Sequence, residues 1–135
     1  MKDKSFIDTN VFIYAFADNS AKKTGRALAL VDHVIPFVST QVLREFFNVG
    51  FKKLGAASRD LIDQVNVISE RCVVVAENIE ILTFAAKLKE KYGFSYYDCL
   101  IIASALTANC KYLYSEDMQD GQMVEDKLRI VNPFT

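Results

Sequence analysis

The stretch Ser5-Phe6-Ile7-Asp8-Thr9-Asn10 decides the fold, because a short apolar run stops abruptly on a carboxylate. Such a run reads as a buried strand, and Asp8 then stands at its carboxyl end. The same kind of run recurs at Ile35 to Ser39, at Cys72 to Ala76, at Tyr112-Leu113-Tyr114 and at Leu128 to Val131. Helical patterns lie between these runs. From near Ser20 to His33, Ala27, Leu28, Leu30 and Val31 cluster at helical spacing. Ser39 or Thr40 caps a helix whose apolar face is Val42, Leu43, Phe46, Phe47, Val49 and Leu54. Ser58 is expected to cap another, carrying Leu61, Ile62, Val65 and Ile68. Asn78 opens a helix that stops at Gly93, and Ser95 opens a very apolar one through Leu100, Ile101, Ile102, Ala105 and Leu106. Strands separated by helices predict an α/β fold with a mostly parallel sheet covered on both faces.

The whole-chain features narrow the chemistry. At 135 residues the chain is expected to form a single domain, 1–135. No apolar run approaches the roughly 20 residues that span a bilayer, and Met-Lys-Asp-Lys leads straight into a strand-like segment, so no secretory leader and a cytoplasmic location are expected. Cys72, Cys99 and Cys110 lack CxxC spacing and sit in apolar runs, which predicts buried reduced thiols rather than disulfides or a zinc site. A net charge of −1 neither favours nor opposes a nucleic-acid partner. His33 is the only histidine and falls at a helix end, so it is read as a helix-terminal residue and not a base. Phosphate-binding glycine motifs are missing, which leaves carboxylates, hydroxyls or cysteine to carry any chemistry.

In open α/β sheets ligands gather beyond the carboxyl ends of the strands, and acids are placed there. Asp8 follows the first strand, and Asp117 follows the fourth after Ser115 and Glu116. Either acid alone fits a turn or a cap. The apolar Val11-Phe12-Ile13 directly after Asp-Thr-Asn, however, implies a semi-buried site. Glu45 lies on the shoulder of its helix's apolar face, where it either snorkels to solvent or tilts into the sheet edge. Asp98 sits three residues after Ser95, which fits a capping box, yet it heads a helix apolar nearly all round and therefore central. Four carboxylates meeting in one cavity repel one another unless a cation intervenes. Hard divalent ions take such oxygen ligands, and two of them about 4 Å apart suit phosphodiester cleavage without any histidine.

These pieces resemble the PIN domain, in particular VapC-type toxins of bacterial toxin–antitoxin pairs. The matching segments are Phe6-Ile7-Asp8-Thr9-Asn10-Val11, Glu45, Tyr97-Asp98-Cys99-Leu100-Ile101-Ile102-Ala103-Ser104-Ala105, and Leu113-Tyr114-Ser115-Glu116-Asp117-Met118-Gln119-Asp120-Gly121. They span nearly the whole chain. The resemblance implies a three-layer α/β/α sandwich and an endoribonuclease dependent on Mg²⁺ or Mn²⁺. By position, Asp8, Glu45, Asp98 and Asp117 would be the catalytic and metal-holding quartet. Asn10 and Ser115 would orient those carboxylates, with Ser115 standing where the family often has Thr. The resemblance also implies RNA as substrate, a homodimer and a cognate antitoxin, with no membrane. Lys22, Lys23, Arg26, Lys52 and Lys53 are candidates for backbone contacts, or ordinary solvated helix faces. Asp120 has no assigned role. Phe47, Phe51 and Tyr14 fit either a protein contact or core packing.

Two other readings stay open. An aspartyl-phosphate phosphatase would use Asp8 as nucleophile, but Asn10 replaces the Asp expected two residues later. A catalytically silent RNA- or protein-binding module would keep the fold, yet it has no reason to concentrate repelling acids.

Overall fold

Apolar strands and amphipathic helices alternate in the computed structural model of the chain, which describes residues 1–17 and 20–135. The order is β1 (Lys4–Ile7), α1 (Thr9–Phe16), α2 (Ala21–His33), β2 (Ile35–Ser39), α3 (Thr40–Lys52), α4 (Ser58–Arg71), β3 (Val73–Val75), α5 (Ile79–Tyr92), α6 (Tyr96–Thr107), β4 (Tyr112–Tyr114), β5 (Met123–Val124) and β6 (Leu128–Val131). The strands form one sheet in the order β3-β2-β1-β4-β6-β5. Every pair is parallel except β5 with β6. Helices flank the sheet in two packed groups. In one, α1 to α4 pack on one another; in the other, α5 packs on α6, which lies against β2 and β4. The predicted α/β architecture with a mostly parallel sheet is observed.

β1 is the centre of this arrangement. Phe6 and Ile7 are fully buried, with Phe6 paired in register to Phe37 on one side and Leu113 on the other. From β1 the chain builds outward through β2 to β3, then returns to add β4 on the other flank. The carboxyl ends of β1 and β4 therefore sit at the point where the strand order reverses, and α/β sheets open a crevice there. α6 is buried from Cys99 through Ala105, which explains why its sequence is apolar on nearly every side. The three cysteines are free and buried, as predicted. His33 lies in the last turn of α2, its Nδ1 2.6 Å from the Ala29 carbonyl.

Three local expectations change. The N-cap of α4 is Ala57, without a side-chain bond, and Ser58 is already inside the helix. β3 is shorter than its apolar run and lies at the sheet edge, with Val73 50% exposed, because β-branched composition does not distinguish edge from centre. The β5–β6 hairpin was not foreseen. Its two turn residues, Glu125 and Asp126, both have positive φ (54° and 55°), a primed turn built without the usual Asn-Gly.

Candidate active site

The Asp-Thr-Asn sequence after β1 organises the site: its first residue is an acid, and the next two each engage another. Asp8 is the N-cap of α1 and accepts the Thr9 amide at 2.7 Å on Oδ1. Thr9 turns its hydroxyl to Glu45 and donates to Oε2 at 2.8 Å. The side-chain amide of Asn10 donates to Asp117 Oδ2 at 2.7 Å. Three consecutive residues thus link acids from β1, from α3 and from the segment after β4.

The other connections also come from uncharged donors. The Ser115 hydroxyl donates to Asp8 Oδ2 at 2.8 Å and accepts the Asp117 amide at 3.3 Å, so it bridges those two residues. Asn10 and Ser115 therefore do orient carboxylates. Glu45 arrives because β2 runs straight into α3, whose first turn is capped by Ser39 at the end of the strand. It takes a second hydrogen bond from the Tyr97 hydroxyl at 3.0 Å, so it is turned into the site and not outward to solvent. Burial first, and the Glu45 carboxylate next, push Tyr97 up to about 12, which keeps it a protonated donor. Asp98 follows directly in the first turn of α6, with its amide capped by Ser95 at 3.1 Å.

Electrostatics ties the four acids together. Burial pushes the Asp8 carboxyl up to about 6 against the bonds from Ser115 and Thr9, and the charges of Glu45 and Asp117 add to the rise. Asp98 is also raised, first by burial, with a bond from Ser95 opposing and the charges of Asp117 and Glu45 adding. The capping by Ser95 is observed as expected.

A family model for the PIN domain matches residues 5–119. The chain belongs to the PIN domain family. Among curated proteins no sequence matches it. Solved structures share its fold at low identity. A toxin–antitoxin complex from Klebsiella pneumoniae is 15% identical, with 96% of this chain and 97% of that one covered at a TM-score of 0.69. DNA-bound VapBC from Salmonella typhimurium is 16% identical, with 96% and 97% covered at 0.68. VapC20 from Mycobacterium tuberculosis, a sarcin–ricin-loop-cleaving toxin, is 16% identical, with 81% and 86% covered at 0.67.

The donor set of this PIN domain fits a hard cation in kind. Among the described residues, ion pairs engage Asp3, Asp32, Glu77, Glu116 and Glu125, and none of Asp8, Glu45, Asp98 and Asp117. Asp8, Glu45 and Asp117 take their hydrogen bonds from hydroxyls and amides. The same residues contain no three acid, histidine or cysteine side chains already closed into an ion cage. Mg²⁺ keeps several waters and needs only one or two direct carboxylates, so an open arrangement suits it.

Several residues acquire roles that the sequence had not assigned. Thr9 and Tyr97 lay inside the quoted motifs, but their bonds to Glu45 span 36 and 52 positions. Lys23, a candidate for RNA contact, pairs instead with Glu116 at 2.7 Å and donates to the Tyr14 hydroxyl at 3.1 Å. Tyr14 in turn donates to Glu116 at 2.8 Å. This latch braces the residue next to Asp117. Arg26 reaches the carbonyl of Thr135 at 3.5 Å, whereas Lys22, Lys52 and Lys53 are exposed. Asp120 accepts the Asn132 amide at 2.8 Å and fixes the C-terminal turn.

Proposed function

We propose that this PIN domain is a Mg²⁺- or Mn²⁺-dependent endoribonuclease, the toxin of a toxin–antitoxin pair acting in the cytoplasm. One observation carries the reading: hydroxyl and amide donors draw Asp8, Glu45 and Asp117 together from three separate parts of the chain with no cation among the described residues paired to them, and the charges of Glu45 and Asp117 reach both Asp8 and Asp98. In this reading Asp8, Glu45, Asp98 and Asp117 hold the ions. When bound, such ions supply a nucleophilic water at neutral pH and charge stabilisation for the phosphate. Thr9, Asn10, Tyr97 and Ser115 orient the carboxylates, and the buried face of Asp8 keeps bulk water from that side of the site. Proteins whose structures share this fold include toxins solved with antitoxins, which supports a cognate antitoxin here, and the proposal takes the chain to act as a homodimer. Asn10 stands where an aspartyl-phosphate phosphatase would carry the second Asp that acts as general acid, which speaks against a phosphatase.

The test is cleavage of a mixed single-stranded and hairpin RNA with Mg²⁺, with Mn²⁺ and in EDTA. The parent should cut only with metal. Asp98→Asn and Glu45→Gln should lose orders of magnitude in rate while circular dichroism stays unchanged. Cutting in EDTA, or full activity in both variants, would falsify the proposal. A silent module would bind RNA without cutting it under any of these conditions.

A further inference from the structure

Beside the acids, α3 and the start of α6 leave a cleft of about 630 Å³ lined by Arg44, Glu45, Phe47, Asn48, Phe51 and Tyr97. It opens from Glu45 and so continues the candidate active site. Two stripes run along the exposed side of α3, each made of residues four apart. In one, the Phe47 and Phe51 rings lie nearly parallel, 18° between planes and 6.2 Å between centroids. In the other stand Arg44 and Asn48, both exposed. Phe51 is 48% exposed and Tyr97 43%, so aromatic surface is left in water at the mouth of an acidic site. The Arg44 side chain is also largely exposed, with a 3.4 Å contact to Glu77 as its ion pair.

We propose that this cleft is a nucleotide subsite for one unpaired base of single-stranded RNA, adjoining the phosphate held at the acids. This inference rests on the nuclease reading and names where its substrate is gripped. The base stacks on the Phe51 ring, Asn48 bonds its edge through an amide that both donates and accepts, and Arg44 faces the neighbouring phosphate. The cleft's volume lies within the roughly 300–1,000 Å³ of small-ligand sites. Its chemistry selects against other occupants. An apolar protein segment would cover Arg44 and Asn48 without pairing them.

The chain has no tryptophan, so Phe51→Trp places a single indole in the cleft. This variant is titrated in Ca²⁺ with hexamers of adenylate, of uridylate and of abasic ribose phosphate. The two base-bearing hexamers should quench the indole, and the abasic one should not. By direct binding, Phe51→Ala should weaken the adenylate hexamer about 5- to 150-fold, the effect of one lost stacking contact. Phe51→Tyr should bind like the parent. Phe51→Leu, apolar but without a ring face, should behave like the alanine variant. Equal quenching by all hexamers, or unchanged affinity in Phe51→Ala, overturns the subsite. Light scattering separates the remaining case: a changed oligomeric state with unchanged RNA affinity gives this face to a second copy and also overturns it. A parent that cleaves RNA while Phe51→Ala binds normally removes the subsite alone. A parent that neither binds nor cleaves removes the nuclease reading as well.

Discussion

Asp8→Asn should stabilise the metal-free protein at neutral pH, although it removes a residue from the centre of the site. Asp8 is only 6% exposed, and its carboxyl is pushed from 3.8 up to about 6, chiefly by burial. A carboxyl that holds its proton more tightly in the folded state favours folding while protonated. That advantage is complete below about pH 4 and disappears as pH rises through about 6. At 1.36 kcal/mol per pH unit, an ionised Asp8 then costs the fold about 3 kcal/mol at pH 7.5. Asparagine cannot ionise, and it keeps an oxygen for the Thr9 amide. The bonds from Ser115 and Thr9 to the ionised carboxylate are already contained in that cost, because they hold the carboxyl below where burial alone would push it. The net gain at pH 7.5 is therefore about 3 kcal/mol, or several degrees in midpoint for a domain of this size. Urea unfolding of parent and variant in EDTA, from pH 4 to 8, is the assay. Other titrating groups are common to both chains and cancel in the difference. The two stability curves should nearly coincide, or cross, near pH 4 and separate steadily up to pH 7. Parallel curves would refute the reasoning, because Asp8 would then carry no buried charge.

Adding Mn²⁺ at about 100 times its dissociation constant should stabilise the parent by roughly 2.7 kcal/mol, and Asp98→Asn by clearly less, as measured by thermal melts. Lys23→Met should slow RNA cleavage several-fold with little change in midpoint, because it frees Glu116 next to Asp117. An unchanged turnover number would show that the latch does not position the acid. Gly50→Ala should destabilise by about 1–2 kcal/mol, since overpacking outweighs the helix propensity gained. Its Cβ would meet Leu61 Cδ1 at 2.8 Å, so shortening Leu61 to Ala in the same chain should remove most of the added penalty in urea melts.

The elements that could be read from sequence are those in which local chemistry and tertiary position agree. Asn78 caps α5 through its side chain, and Gly93 ends the helix at a φ of 77°, because both positions need what those residue types uniquely supply. α1 was harder to see, because Val11-Phe12-Ile13 is apolar without a helical period and its cap is Asp8, already read as an acid. β3 fell short of its apolar run for a comparable reason: Val73, Val74 and Val75 look like a central strand, but only pairing partners decide which strand is central. In the site, the acids could be read because strand ends and helix starts fix where a carboxylate stands. The hydroxyls that hold them could not be read. Thr9 meets Glu45 only through the packing of α1 on α3, and Tyr97 only through the entry of α6 beside it.

That division explains why the pattern of charges is more informative than the number of acids. If stability alone had shaped this region, a lysine or arginine would be expected beside each buried carboxylate. The cations nearest the site are placed one residue to the side instead. Lys23 takes Glu116, adjacent to Asp117, while Arg44, adjacent to Glu45, takes Glu77. Both cations thus steady the backbone at a quartet residue without neutralising it. Thr9, Asn10, Tyr97 and Ser115 then fix the carboxylate oxygens through bonds that add no positive charge. Asp8 and Asp98 are raised chiefly by burial, and the charges of Glu45 and Asp117 add to the rise. In the proposed function the compensation comes from outside the chain. A divalent cation would supply it in a form that a mobile lysine cannot, because open coordination positions remain for water and phosphate.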